Sequence, residues 1–246
     1  MYRIQAILLS ALMAAGSAGA TTIFYTDFNS GAPSQITGSS GVVNSTSVGG
    51  STAIDGLQLW QNYSAGNPAS PTTLTLTGLA ANQSIDLDFT FLAINTWDGT
   101  TYAPGVYAPD YLNVALNSSS IFQGAFRNFG TESTPEYPGC SGPANCTSVY
   151  NPAPPAGTTV TLLQAGGTSI YDISITGLTA NSSGNAIFTF FASGQGWQGG
   201  GDESIGLDNI SVTTAAAAAT PEPSTWMLIA GALLCLPLIR RRAFSR

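Results

Sequence analysis

Apolar side chains recur at every second position through most of this sequence, which limits the folds open to it. In one segment Ile85, Leu87 and Phe89 alternate with Asp86 and Asp88. Successive side chains of a β-strand point to opposite faces, so such a segment buries one face and exposes the other. The 3.6-residue period of an amphipathic helix is not evident between the two termini. The pattern therefore predicts an all-β domain.

The alternating segments are short and are separated by turns rich in Gly, Asn, Pro and Ser. Many short strands with turns of this composition are typical of antiparallel β-sandwiches. The predicted strands cover residues 22–28, 56–60, 73–77, 85–91, 111–116, 121–126, 158–163, 172–176, 186–191 and 204–213.

The N-terminus departs from this pattern. Arg3 is followed by an apolar run over residues 4–15 and then by small residues that end in Ala18-Gly19-Ala20. A basic start, an apolar stretch and an A-x-A site are the marks of a secretory signal peptide. We therefore expect the mature chain to begin at Thr21.

The C-terminus carries three signals in order: a Pro-Glu-Pro triplet, an apolar run over residues 226–239 and an arginine cluster. The residues are Pro221, Glu222, Pro223, Arg240, Arg241 and Arg242. This order resembles the PEP-CTERM sorting signal of Gram-negative bacteria that make extracellular polysaccharide. The resemblance implies a transmembrane helix that is processed by the membrane protease exosortase. It also implies a transient stay at the inner membrane and a final location at the cell envelope, the outer surface or the extracellular matrix.

The apolar run of the tail is short for a permanent anchor. Its 14 residues would form a helix of about 21 Å, against a hydrocarbon core of about 30 Å. A span this short suits a temporary tether. The positive-inside rule keeps the arginines on the cytoplasmic side. The alternative is an ordinary C-terminal anchor. We predict four parts: a signal peptide at 1–20, a sandwich domain at 21–214, an alanine-rich linker at 215–220 and a sorting signal at 221–246.

Basic side chains are almost absent from the central part of the chain. Between residues 21 and 220 twelve acidic residues face one basic residue, Arg127, which gives a net charge of −11, and the chain contains no lysine or histidine. Without cations to neutralise phosphates, nucleic-acid binding is excluded. Without histidine the chain lacks the usual base of Ser-His-Asp and Cys-His catalysis and the commonest zinc ligand. Carboxylate chemistry remains, either calcium ligation or the acid/base pair of a glycosidase.

Two cysteines, Cys140 and Cys146, enclose five residues in a proline-rich stretch. In the oxidising compartment that an exported protein reaches, we expect them to form a disulfide. A loop this short contributes on the order of 2 kcal/mol to stability. Cys235 lies in the apolar run of the tail, so we expect it to remain outside this pair.

Three acidic segments stand out, at residues 97–99, 109–111 and 200–210. The last changes its alternation phase at Asp208-Asn209, because Ile205 and Leu207 follow one phase and Ile210 the other. This slip predicts a β-bulge, which re-aims side chains and exposes backbone carbonyls. Carboxylate, amide and carbonyl oxygens are the ligands of calcium, which takes six to eight of them at about 2.4 Å.

The third segment and the opening residues 25–28 (Tyr-Thr-Asp-Phe) resemble the last and first strands of lectin-like jelly rolls, such as MAM and carbohydrate-binding-module domains. The resemblance implies a jelly roll whose terminal strands lie side by side near a structural calcium ion. The implied ligands are Asp202, Glu203, Asp208 and Asn209, joined from loops at the same rim by Asp98 and Asp110. The alternative is that these are ordinary solvated loop residues, with Asp208 capping a turn.

Trp197 lies in a loop rich in Gly and Gln, a setting suited to the rim of a binding site. Because aromatic faces bind the apolar faces of sugar rings, it is a candidate glycan-stacking residue, with a place in the core as the alternative. We expect Trp60 to belong to the core.

These features together predict an exported, non-enzymatic protein of the cell surface or the exopolysaccharide or biofilm matrix, with glycan binding and a structural Ca²⁺ ion. The expected partners are exosortase, extracellular polysaccharide and, before processing, the membrane. One alternative is a carboxylate-dependent glycoside hydrolase, which needs two carboxyl groups about 5 to 9.5 Å apart across a cleft. Another is a purely structural matrix component without a binding pocket.

Overall fold

The structure, a computed structural model, describes five stretches of the chain: residues 19–44, 58–99, 109–126, 157–164 and 168–214. The twelve strands found in these stretches all belong to the compact unit Thr21–Ala215. Within the described stretches there is no helix, and so none with the length and apolarity of a membrane span. Residues 1–18 of the predicted signal peptide, the linker, the sorting tail with its triplet and arginines, and the Cys140–Cys146 loop lie outside the described residues.

The prediction of an all-β domain built from antiparallel strands is confirmed. The strands are β1 (Thr22–Thr26), β2 (Ile36–Gly38), β3 (Gly41–Asn44), β4 (Gln58–Asn62), β5 (Thr72–Leu76), β6 (Ser84–Asn95), β7 (Tyr111–Leu116), β8 (Ser119–Ala125), β9 (Thr159–Gln164), β10 (Thr168–Thr179), β11 (Ala186–Ser193) and β12 (Glu203–Thr214). Two of them, β2 and β3, were not predicted, because each is too short to show an alternating pattern.

The strands form two antiparallel sheets. The larger sheet has the order β3-β4-β12-β6-β10-β9, with β1 also paired to β12, and the smaller has the order β2-β5-β11-β7-β8. Strand β12 is the centre of the large sheet: β6 lies on one of its edges, while β4 and β1 share the other. The first and last strands therefore lie side by side, as predicted.

The main core fills the space between the two sheets. Phe89 of β6 and Phe190 of β11 meet there edge to face, with ring centroids 5.2 Å apart, which is a favourable geometry for an aromatic pair. Further along β6, Phe91 contacts the rings of Phe126 at 4.6 Å and Trp97 at 5.3 Å. Trp60 belongs to the same core and is 5% exposed, as predicted.

The predicted bulge in β12 is also confirmed. The register between β12 and β6 shifts between Asp208 and Ser211, and Asn209 has a positive φ of 48°. Asparagine tolerates this left-handed conformation better than most residues. The extra residue resets the alternation, so Ile210 and Val212 face the core again after Leu207.

Candidate metal centre

Three carboxyl groups meet at one end of the sandwich. One oxygen from each of Asp98, Asp110 and Glu203 lies within 4.8 Å of the other two, and all three residues are buried. Asp110 and Glu203 are 0% exposed. Carboxylates are seldom buried this completely unless they are paired, protonated or bound to a metal, because desolvation strongly disfavours the charged form.

The three residues come from parts of the chain that start or end strands. Asp98 lies just beyond the end of β6, Asp110 directly precedes β7, and Glu203 is the first residue of β12. Strands β6 and β12 belong to the large sheet, whereas β7 belongs to the small one. A cation held by these groups would therefore link the two sheets at this end.

Backbone contacts hold the three segments together. The amide of Asp98 donates a hydrogen bond to Asp110 Oδ2, and the amide of Gly196 donates to the carbonyl oxygen of Pro109 at 3.2 Å. Gly194 lies so close to Pro109 that an added Cβ would collide with that carbonyl, and its φ of 133° also requires glycine. The loop before β12 is thus packed directly against the residue that precedes Asp110.

Two buried tryptophans pack against the chain segments that carry these carboxyl groups. Trp97 Nε1 donates to the carbonyl oxygen of Ser204 at 3.1 Å, and the Trp97 and Trp197 rings meet edge to face at 5.4 Å. Trp197 Nε1 donates to Gly66 O at 3.1 Å, and the side chain is 4% exposed. Trp197 therefore belongs to the core, which was the alternative, and a side chain buried to this extent has no ring face free for a sugar.

Two oxygens in the centre have no hydrogen-bond partner among the residues that the structure describes: Asp110 Oδ1 and Glu203 Oε1. The second oxygen of each carboxylate does accept a hydrogen bond. Glu203 Oε2 accepts from the amide of Gln198 at 2.8 Å, and Asp110 Oδ2 accepts from the amide of Asp98. An unsatisfied buried acceptor costs roughly 1–3 kcal/mol, and more when it is charged. A shared proton or a cation would satisfy both oxygens. The all-oxygen donor set and the absence of sulfur or imidazole fit a hard cation such as Ca²⁺.

Burial shifts the acid–base behaviour of this group strongly. Desolvation raises the pKa of Asp110 to about 8, with the charges of Glu203 and Asp98 adding to the effect. Desolvation likewise raises the pKa of Glu203 to about 7, with added repulsion from Asp98 and Asp202. The amides that donate to both carboxylates oppose these shifts only in part. Near neutral pH the centre therefore holds protons that a divalent cation can displace.

We expect the metal-free protein to become less stable as the pH rises from about 5 to about 8. Both carboxyls have pKa values near 4 in an unfolded chain and higher values in the fold, so the folded state binds more protons in this range. The stability that the neutral carboxyl groups contribute is complete at a pH below their pKa values in the unfolded chain. It is lost as the pH rises through their pKa values in the folded protein. Thermal unfolding in the presence of a chelator, repeated across this pH range, measures how stability changes with pH.

Calcium is expected to reverse that slope, because it binds the ionised carboxylates and releases their protons. Calorimetric titration with Ca²⁺ in buffers of different ionisation enthalpy counts the released protons. Stability that rises steadily with pH in the chelated protein would contradict the assignment.

The other three predicted ligands are not members of this group of carboxyls. Asp202 is exposed, and its Oδ1 accepts a hydrogen bond from Thr96 Oγ1 at 2.8 Å. Asp208 lies in the bulge, five residues beyond Glu203 along an extended strand, which corresponds to about 16 Å, and Asn209 follows it. The expectation that all six residues share one rim is therefore wrong: Asp98, Asp110 and Glu203 come together, while Asp208 and Asn209 do not join them.

The carboxylate of Asp208 is hydrogen-bonded within the bulge. Its Oδ1 accepts from the amide of Asn209 at 2.7 Å, which is the local bonding that a bulge provides. Burial raises its pKa to about 6, and the nearby charge of Asp27 contributes. Both oxygens of Asp208 have partners within the bulge, so this carboxylate shows no unmet need for a ligand.

No family model and no curated protein sequence matches this chain. Among solved structures, the K3 cleaved adhesin domain of Lys-gingipain from Porphyromonas gingivalis is 13% identical, with a TM-score of 0.41 over 79% of this chain and 100% of that one. The CBM22-1 xylan-binding domain of Xyn10C from Paenibacillus barcinonensis is 13% identical, with a TM-score of 0.36 over 83% of this chain and 100% of that one. A cyclase from Fischerella sp. TAU is 11% identical, with a TM-score of 0.37 over 84% of this chain and 93% of that one. Likeness at this level assigns no function.

Proposed function

We propose that this chain is an exported, non-enzymatic β-sandwich protein of jelly-roll type that is sorted to the cell envelope or the extracellular matrix, binds glycan there and is held together at one end by a structural Ca²⁺ ion. The observation that carries the metal part is the buried carboxyl trio, with its two unpartnered oxygens and its position between the sheets. Asp98, Asp110 and Glu203 would hold the ion, which would supply charge neutralisation and a cross-link between the sheets.

Export and calcium binding support each other in this proposal. Calcium-binding modules that work outside cells tolerate dissociation constants of about 10⁻⁴–10⁻³ M, because the ion is plentiful there. A site with three carboxylates and few other charges suits that range. The signal-peptide pattern at residues 1–20 and the sorting pattern at 221–246 both support export of the sandwich.

The burial of the trio argues against a hydrolytic role for it. A glycosidase needs its two carboxyl groups to face a sugar across an open cleft. Asp110 and Glu203 are 0% exposed, so no sugar reaches them in this conformation. If the trio did catalyse hydrolysis, the protein would release reducing sugar from a polysaccharide, and Glu203→Gln would abolish that release.

Replacing Pro221, Glu222 and Pro223 together by alanine is expected to block removal of the tail. In the native host, the wild-type chain should be recovered from the envelope or the medium, starting at Thr21 and lacking the arginine cluster. The triple variant should remain in the membrane fraction with its tail attached, because the proposed exosortase signal is lost. Cell fractionation with intact-mass measurement distinguishes the two, and Arg246→Ala, which lies beyond the cluster, is the control.

The sorting part of the proposal fails if the wild-type chain is found in the cytosol with both termini intact. It also fails if the triple variant is processed as fast as the wild type.

A further inference from the structure

The outward-facing side of the large sheet carries a groove that is separate from the metal centre. Its volume is about 260 Å³, and its lining combines carboxylates, hydroxyls and an amide. The polar lining residues are Asp88, Thr90, Thr159, Thr161, Asp172 and Ser174, with Asn209 of the bulge. None of these residues is basic, and the groove lies on the side of the sheet opposite the core.

Strand pairing arranges outward-facing side chains in a row across five adjacent strands. Thr159 of β9 pairs with Ser174 of β10, which pairs with Asp88 of β6. Asp88 pairs with Ser211 of β12, which in turn pairs with Tyr25 of β1. Because neighbouring strands lie about 4.8 Å apart, the row is about 19 Å long. This is the length scale of a short oligosaccharide rather than of a single small molecule.

A second row beside the first is fixed by hydrogen bonds. Thr90 Oγ1 donates to Asp172 Oδ1 at 2.8 Å, and Asn209 Nδ2 lies 3.4 Å from Thr90 Oγ1. These bonds hold the Asp172 carboxylate in one orientation before any ligand arrives. A preorganised acceptor loses less conformational entropy on binding than a free side chain would.

Tyr25 ends the first row with an exposed aromatic ring. Its side chain is 56% exposed, and its hydroxyl donates to Asn209 Oδ1 at 3.2 Å. That bond ties the ring to the bulge that also borders the groove. A large aromatic side chain kept in solvent and held at a fixed position is suited to contact with the apolar face of a ligand ring.

We propose that this groove is the glycan-binding site and that it takes a neutral, uncharged oligosaccharide. Carboxylates and hydroxyls accept hydrogen bonds from sugar hydroxyls, and Tyr25 offers a face to a pyranose ring. The carboxylates of Asp88 and Asp172 repel uronate, sulfate and phosphate groups, and the lining has no cation to offset them. This inference rests on the glycan-binding part of the proposed function and specifies its site and its ligand class.

Native gel electrophoresis through gels that contain a polysaccharide tests the proposal. The probes are the neutral polymers xylan, mannan, dextran and hydroxyethyl cellulose, and the anionic polymers alginate and polygalacturonate. The protein is the unit Thr21–Ala215, after a cooperative thermal transition has shown that it is folded. We expect at least one neutral polymer to retard the protein and neither anionic polymer to do so.

Tyr25→Ala and Asp172→Asn are each expected to weaken retardation by the bound polymer about tenfold, which corresponds to the loss of one good contact. Tyr25→Phe should retain most of the binding, because it keeps the ring. The controls are Tyr63→Ala, which removes another exposed tyrosine, and Asp202→Asn, which removes an exposed carboxylate outside the groove. Both controls should bind like the wild type.

The outcomes separate this inference from the function on which it rests. If both Tyr25→Ala and Asp172→Asn still bind the neutral polymer like the wild type, the groove is not the binding site, although the protein does bind glycan. Retardation by alginate or polygalacturonate overturns the neutral ligand class. A wild-type protein that no polymer retards overturns both this inference and the glycan-binding part of the proposed function, and leaves a structural role.

Discussion

Calcium is expected to raise the melting temperature of the wild-type Thr21–Ala215 unit by about 5–10 °C when it is present at a hundred times its dissociation constant. At that concentration a ligand that binds only the folded state contributes about 2.7 kcal/mol, and for a domain of this size each kcal/mol corresponds to about 2–4 °C. In Glu203→Gln this increment should disappear, because the variant lacks one of the three carboxylates of the centre. Differential scanning calorimetry with and without a chelator measures both values.

The same variant should be no less stable than the wild type when calcium is absent. Glutamine resembles the protonated form of Glu203, which burial already favours, and its carbonyl oxygen can still accept from the amides of Gln198 and Gly199. At pH 8 the metal-free variant is expected to melt above the metal-free wild type, because it carries one ionisable group fewer in the buried cluster. A loss of the calcium effect with unchanged or higher intrinsic stability identifies a ligand rather than a structural contact.

Asp88→Asn is the matched control for Glu203→Gln, since it removes a carboxylate of the same protein on the outer face of the sheet. It should keep the full calcium increment. The assignment fails if Glu203→Gln still responds to calcium like the wild type, or if the wild-type melting temperature is the same in calcium and in chelator.

The sequence predicted the fold wherever strands alternate clearly. Ile85, Leu87 and Phe89 identify β6 without ambiguity, yet the strand continues to Asn95. The pattern ends early because Leu92 and Ile94 pack in a second apolar cluster on the outer side of the sheet, with Leu59 as a partner. A stretch that is apolar on both faces has no period, so its length cannot be read from alternation.

The bulge was predictable because it changes a local pattern, whereas the metal centre depends on distant contacts. The phase slip at Asp208 is visible in the sequence and is confirmed by the register. Glu203 and Asp208 look like one site in the sequence, but an extended strand separates them by about 16 Å. Asp98 and Asp110 join Glu203 only because the ends of β6, β7 and β12 meet, which is a property of the topology.

Trp197 is a second case in which the local sequence did not predict the position of a residue in the fold. Its Gly- and Gln-rich neighbours are typical of a solvated loop, and that setting favoured an exposed role. The glycines instead allow the loop to fold back onto Pro109, which brings Trp197 against Trp97 in the core. Burial of a loop residue is decided by where the loop packs, and local composition does not contain that information.

Trp97→Ala is expected to lower the free energy of unfolding by about 3–5 kcal/mol, the usual cost of removing a fully buried large aromatic side chain. Trp97 is 0% exposed and contacts the rings of Phe91 at 5.3 Å and Trp197 at 5.4 Å. The melting temperature should therefore fall by roughly 10 °C or more. Urea denaturation with calcium present and absent measures the loss.

Trp97→Ala is also expected to lose the increment in melting temperature that calcium gives the wild type. Trp97 precedes Asp98, and its Nε1 bonds the carbonyl of Ser204, which follows Glu203, so one side chain positions two of the three carboxylates. Trp60→Ala removes another core tryptophan on β4 and should cost comparable stability while leaving the calcium increment intact. Trp97→Phe keeps most of the packing but removes the N–H donor, so its cost should be about 1–3 kcal/mol. If Trp97→Ala and Trp60→Ala retain equal calcium increments, Trp97 supports the core alone and the metal centre is positioned by the backbone contacts between Asp98, Pro109 and the loop before β12.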